Sequence, residues 1–310
     1  MTKRAVVSLF LILSFALSTL SLVEAQSQDV YQLSLQGPTW DHPVINVLIV
    51  PSDGEQWWNP SYLNSTLRAI NQWNEAISYF ASTHSDFAYM SEVRMTPQVS
   101  NRTDSEFDAY ITWIKQFGNE TCDAGLTKTV YTSSQVITNS STTFSAYDCR
   151  GNILSEVDMQ NVAIHELGHC LGLGHANFTG DSMYFAYTLG SSLRAISTLD
   201  AYGVTTVFRW LRISQDFDIA NQGVPTYSVR VPDGPPYEYL PVSQENLPPQ
   251  STIDQIRTFL DEFVNIITQP EVMVIVLLAV SAVAFYIIIT RVRGKRVVSK
   301  AASSTQHQRL

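Results

Sequence analysis

Residues 161–184, NVAIHELGHCLGLGHANFTGDSMY, constrain this chain more than any other stretch. His165 and His169 are four apart, so a helix of 3.6 residues per turn stacks their imidazoles on one face, one turn apart. Gly172 can take a positive φ, end that helix and turn the chain back to deliver His175. Three protein ligands leave the fourth position of a tetrahedral Zn²⁺ to water, as in catalytic sites, whereas structural sites are closed by four ligands. Glu166 stands beside the first ligand, placed to take a proton from a water whose pKa zinc lowers to about 7. The stretch therefore predicts one catalytic zinc on His165, His169 and His175, with Glu166 as catalytic base. The alternative is a non-catalytic surface module that keeps its zinc site for binding or adhesion. The intact Glu166 argues against it, because a relic has no need of the base.

These residues resemble the metzincin clan of zinc metallopeptidases, whose signature HExxHxxGxxH reads here His165, Glu166, His169, Gly172 and His175. Asp181-Ser182-Met183-Tyr184 resembles the clan's Met-turn, which makes Met183 a packing floor beneath the metal and not a ligand. Ser-Met-Tyr, Trp40 ahead of the first strand, and Ser197-Thr198-Leu199-Asp200 at the start of a last helix are similar to the matrixin branch; Ala176 departs from it, since serine is usual there. The resemblance implies an α+β zinc peptidase domain over residues 40–214, with a twisted mixed sheet and about three helices. It implies a polypeptide substrate, lying along the strand that precedes the zinc helix, near residues 143–147. Residues 185–194 would wall the pocket for the side chain after the cut bond. The cysteine-switch latency of many matrixins has no counterpart in the short N-terminal segment 26–39, which holds no cysteine.

Hydropathy assigns the two ends. Residues 1–25 have a basic start (Lys3, Arg4), an apolar run and a small-residue ending at Ala25, which reads as a secretory signal peptide, with an uncleaved anchor as the alternative. Residues 272–290 contain no charge and span about 28 Å as a helix against a hydrocarbon core of about 30 Å, so the segment 271–290 is predicted to cross a membrane. The tail, 291–310, carries Arg291, Arg293, Lys295, Arg296, Lys300 and Arg309 and no acidic residue, which places it in the cytoplasm and the peptidase domain outside. Between the ends, residues 26–270 hold 26 acidic and 11 basic side chains, a net charge of −15 that argues against nucleic acid as a partner.

Prolines at 225, 232, 235, 236, 241, 248 and 249 mark residues 215–250 as an extended stalk, followed at 251–270 by an amphipathic juxtamembrane helix. Within the domain, residues 44–50 read as a buried strand, and Asn59-Pro60 opens a helix whose apolar stripe is Leu63, Leu67, Ile70, Trp73, Ile77 and Phe80. Alternation predicts strands over 87–95 and 109–114, shorter ones at 128–132, 136–138 and 142–147, and a loop at Asn139-Ser140-Ser141-Thr142. The zinc helix runs from 156 to 171 and a final helix from 198 to 211. A disulfide between Cys122 and Cys149 is expected under the zinc helix, with Cys170 a buried free thiol. Asp123 and Asp148 lack the ordered spacing of a calcium loop, so a structural calcium is left open. Five Asn-x-Ser/Thr sequons, at Asn64, Asn101, Asn119, Asn139 and Asn177, fit exposed loops.

Overall fold

The structure, a computed structural model, describes residues 30–101, 106–118 and 122–247. The segments expected as signal peptide (1–25), juxtamembrane helix (251–270), transmembrane helix (271–290) and cytoplasmic tail (291–310) lie outside the described residues. Among the described residues, no helix is long and apolar enough to cross a membrane.

The elements follow in the order β1 (Gln32–Leu35), β2 (Val44–Ile49), α1 (Ser61–Thr83), β3 (Arg94–Val99), β4 (Ala109–Ile114), β5 (Gly125–Tyr131), β6 (Ile137–Ser145), α2 (Glu156–Cys170), β7 (Leu173–Ala176), α3 (Thr198–Val207) and β8 (Ser228–Arg230). A five-stranded mixed sheet has the order β3-β2-β4-β6-β5, with only β5 antiparallel to its neighbour. This is the expected α+β arrangement. Asn59 Oδ1 accepts the Ser61 N–H at the start of α1, and Ile70, Trp73, Ile77 and Phe80 are buried along one face at steps of three and four. That face lies on α2: the Tyr62 hydroxyl donates to the Leu154 carbonyl (2.9 Å) and the Trp73 indole N–H to the Ile164 carbonyl (2.9 Å). Trp40, fully buried, donates its indole N–H to the Cys170 carbonyl at the last turn of α2, where no helical donor is left for it.

Four expectations are corrected. Residues 85–92 form a 3-10 helix in place of most of the strand 87–95, and only Arg94–Val99 is extended. The Phe87 ring packs 5.4 Å from Phe80 and the Tyr89 hydroxyl reaches the Thr205 carbonyl, so the aromatic residues that mimic strand alternation pack back onto helices. The Asn139–Thr142 run is strand, not loop: β6 is paired on both sides, and Ser140, Thr142 and Phe144 alternate into the core. The reversal comes earlier, at Gln135, whose φ of 62° is left-handed. Because β6 is interior, the free edge beside the zinc helix belongs to β5, not to residues 143–147.

The fourth correction concerns both flanks of the domain. Gln32–Leu35, within the segment 26–39 and ahead of the expected boundary at 40, form β1, which pairs with β7 on one side and β8 on the other. The stretch 215–247, expected as an extended stalk, therefore runs back over the domain. Leu240 is buried with its N–H on the Ile196 carbonyl (2.8 Å), and Asn246, 1% exposed, exchanges hydrogen bonds with Asn71, Glu75 and Gln160. Proline removes backbone donors and forbids long elements, so the segment reads as a linker, yet Val229 and Leu240 bury their side chains in the core.

Candidate metal centre and cleft

Ser155 starts the helix that carries the first two histidines: its Oγ accepts the Asp158 N–H (3.1 Å) while Asp158 Oδ2 accepts the Ser155 N–H (3.0 Å). The helix ends at Gly172, whose φ of +92° turns the chain into β7. His165, His169 and His175 converge, with one ring nitrogen of each within 4.8 Å of the others. His165 Nδ1 donates to the Ser182 carbonyl (2.9 Å) and His169 Nδ1 to the Leu173 carbonyl (2.9 Å). Those bonds fix the tautomers and turn both Nε2 lone pairs inward, 3.1 Å apart.

Burial pushes the His165 imidazole down to about 3 and His169 to about 4, with neighbouring imidazoles adding to the effect; burial also lowers His175. All three are neutral at pH 7 and able to act as ligands. Two lone pairs facing each other at 3.1 Å repel unless a cation lies between them. The separation also matches the roughly 3.3 Å expected for two nitrogens bonded at about 2.0–2.1 Å to a tetrahedral ion. The residues present thus fit zinc. Among the described residues, Asp123 and Asp148 form no second ligand group. Asp148 instead closes its own turn by accepting from Arg150 N and from Asn152 N and Nδ2.

Glu166 is buried between α2 and β5. Burial raises its carboxyl to about 7, against the lowering effect of the Thr127 hydroxyl, which lies 2.8 Å from Oε2. His175 is held from outside: Ser34 on β1 donates to its carbonyl (2.9 Å), and Gln36 Nε2 reaches the carbonyls of His169 and Leu173 (both 3.1 Å). Sequence reasoning missed these residues, although the alternation of Tyr31, Leu33 and Leu35 was a period-2 signal of the strand that brings them.

Met183, fully buried, presses its sulfur against Gly168, where any Cβ would overlap it; the expected floor thus lies directly beside the second histidine. Its N–H is accepted by Asp181 Oδ1 (2.9 Å). Asp181 Oδ2 takes hydroxyl donors from Ser197 (2.9 Å) and Tyr237 (3.1 Å), and Asp200 Oδ2 takes Ser182 Oγ (2.8 Å) and the Ser197 N–H (2.9 Å). Asp200 Oδ1 has no donor and meets the Asp181 carboxylate. Complete burial, then the charge of Asp181, raises the Asp200 carboxyl well above its ordinary value and so favours its protonated form.

A folded state that keeps this proton while the unfolded chain releases it near 3.8 binds more protons than the unfolded state. Stability contributed here therefore falls as pH rises from about 4. Asp200→Asn replaces the protonated carboxyl by an amide donor and abolishes its titration. The unfolding free energy of the variant relative to wild type, measured by denaturant titration at each pH, is expected to rise between pH 5 and 8 by at most about 1.4 kcal/mol per pH unit. A difference independent of pH would show that no proton is held there.

The cleft over the histidines measures about 810 Å³ and is bounded by β5, by α2 and by residues 184–194. The last segment is pinned to α2 by two side chains that sequence reasoning did not single out. Asp158 Oδ1 accepts the Tyr187 hydroxyl (2.6 Å) and the Gly190 N–H (2.7 Å), and Asn161 bonds Tyr187, the Ser192 carbonyl and the Arg194 N–H. Burial pushes the Asp158 carboxyl up, but donors from Ser155, Tyr187 and Gly190 outweigh it and leave the group below its usual range. Both residues are buried polar positions one turn apart on α2, the signal by which they could have been found. Cys122 and Cys149 are joined in a disulfide, at the cleft rim instead of under α2 as expected, and Cys170 is a buried free thiol.

Residues 64–209 match the family model of the matrixins. A 57-residue stretch is 33% identical to metalloendoproteinase 2-MMP of Arabidopsis thaliana, covering 18% of this chain and 15% of that protein. The match thus spans well under two thirds of the relative's length.

Proposed function

The domain built around this site belongs to the matrixin branch of the metzincin peptidases, and from that premise we propose that it is a zinc-dependent endopeptidase anchored to a membrane and facing outward. The observation that carries the reading is the convergence of three neutral imidazoles beside a buried carboxyl, next to the free edge of a sheet. His165, His169 and His175 would hold the ion. When bound, zinc supplies Lewis acidity to the attacking water and to the scissile carbonyl.

The rest falls to the chain's own residues. The unpaired edge of β5 takes an extended polypeptide as a further strand through main-chain hydrogen bonds. Residues 184–194, pinned by Asp158 and Asn161, receive the side chain that follows the scissile bond. Glu166, with its carboxyl near neutrality, accepts the water's proton and delivers it to the leaving amine nitrogen. The Met183 packing beneath Gly168 and the carbonyls on His165 and His169 hold the ligands in place before substrate arrives. The anchoring rests on the uncharged run 272–290 and the six cations after it.

One experiment tests both parts. Cells displaying the full chain with an epitope after Leu310 are expected to cleave peptides added to the medium. A membrane-impermeant chelator should abolish cleavage, zinc should restore it, and the epitope should stain only after permeabilisation. Zinc-loaded protein that cleaves no member of a peptide library would instead be a binding module, and an epitope reachable on intact cells would reverse the topology.

A further inference from the structure

We propose that β5 acts on catalysis from its inner side as well as its edge: Gly125 and Thr127 form a seat that fixes the carboxyl of Glu166, making Thr127 a positioning residue. The inference rests on the reading of Glu166 as the general base.

Residues 125 and 127 are two apart on one strand and so face the same way, toward α2. Thr127 Oγ1 lies 2.8 Å from Glu166 Oε2, 3.1 Å from the Glu166 carbonyl and 2.9 Å from Thr142 Oγ1. A hydroxyl has one proton to give and can accept others. Thr142, buried on β6, donates to Thr127, and Thr127 donates to the carboxylate, so the proton order of the two hydroxyls is set by the charge at its end. Gly125 provides the space: a Cβ there would stand 2.5 Å from Glu166 Cγ and 2.8 Å from Oε1. A glutamate side chain otherwise has several rotamers open to it, and each rotamer that aims the carboxyl elsewhere lowers the fraction of productive encounters.

The arrangement has a consequence for registration. The strand whose free edge receives the substrate also holds the base, so the distance between a bound scissile bond and the carboxyl depends on one element and not on two that move separately.

Thr127→Val keeps the branched shape and removes the hydroxyl; Thr127→Ser keeps the hydroxyl. In the full chain, the valine variant is expected to bind zinc as wild type does, keep its KM and lose about 10- to 100-fold in kcat, the range for a hydrogen bond to a charged group. The serine variant should recover most of that loss, and valine should cost nothing further when Glu166→Gln is already present. Gly125→Ala, an independent variant, should likewise lower kcat with zinc retained. The seat is rejected if Thr127→Val matches wild type in kcat, if its loss appears in KM, or if serine is as impaired as valine. Failure of the underlying reading looks different: Glu166→Gln itself would then remain active.

Discussion

Glutamine at position 166 is expected to leave one zinc per chain and a near-normal KM while reducing kcat by about 10³-fold, within the range that positioned general bases contribute. The carboxamide has the shape of the carboxylate, and its oxygen can still accept the Thr127 hydroxyl, so the seat and the packing against Gly125 persist. The ligands His165 and His169 are held by the carbonyls of Ser182 and Leu173, and neither bond involves the side chain at 166. What disappears is a group that can take a proton near pH 7. Metal analysis beside steady-state kinetics reads both halves of the expectation. A variant that retains a tenth of wild-type kcat or more removes Glu166 from the proton transfer, and one that loses its zinc shows that the residue acts on the metal site instead.

Ending the domain after residue 214 should be equally damaging, although the matrixin match itself stops at 209. A chain covering 30–214 loses the partner of β1 on one side, the buried Leu240, the Tyr237 hydroxyl on Asp181, and the Asn246 contacts to α1 and α2. Large buried side chains lost from a core are each worth about 2–5 kcal/mol. Against a chain covering 30–247, the shorter one is therefore expected to melt about 10–20 °C lower, or to be recovered only as aggregate. Zinc affinity should fall with it, since β1 carries Ser34 and the Gln36 side chain follows it. Equal thermal midpoints for the two chains would return residues 215–247 to the role of a linker.

Much of this site was legible in the sequence because its determinants are local. Spacings of four and six between histidines, with a glycine between the second and third, encode one helical face and one left-handed turn. Long periodic segments were equally plain: the stripe of α1 and the strand Ala109–Ile114 required only their own residues. Pairings between distant, short segments were hidden. β1 and β8 have four and three residues, and neither has a pattern strong enough to identify it without the other. The polar middle of β6, Asn139–Thr142, reads as a loop by composition, and the strands on either side override that preference. The misplaced sheet edge follows from this: a substrate strand can be assigned only when the order of strands is known. Thr127 carried no signal at all, since its importance depends on which face of β5 meets α2.

The three-stranded sheet joins residues near one end of the domain to residues near the other, Leu33 opposite Val229, with Ala176 of the histidine strand on the far side. Such a pairing has to wait for synthesis to reach the last of its members. Helices α1 and α2 can form soon after they emerge, but the strand bearing His175 gains a fully supported neighbour only when β8 arrives. A nascent domain of this design is therefore completed only once β8 has been made, so a chain halted before residue 230 leaves the histidine strand without its full support.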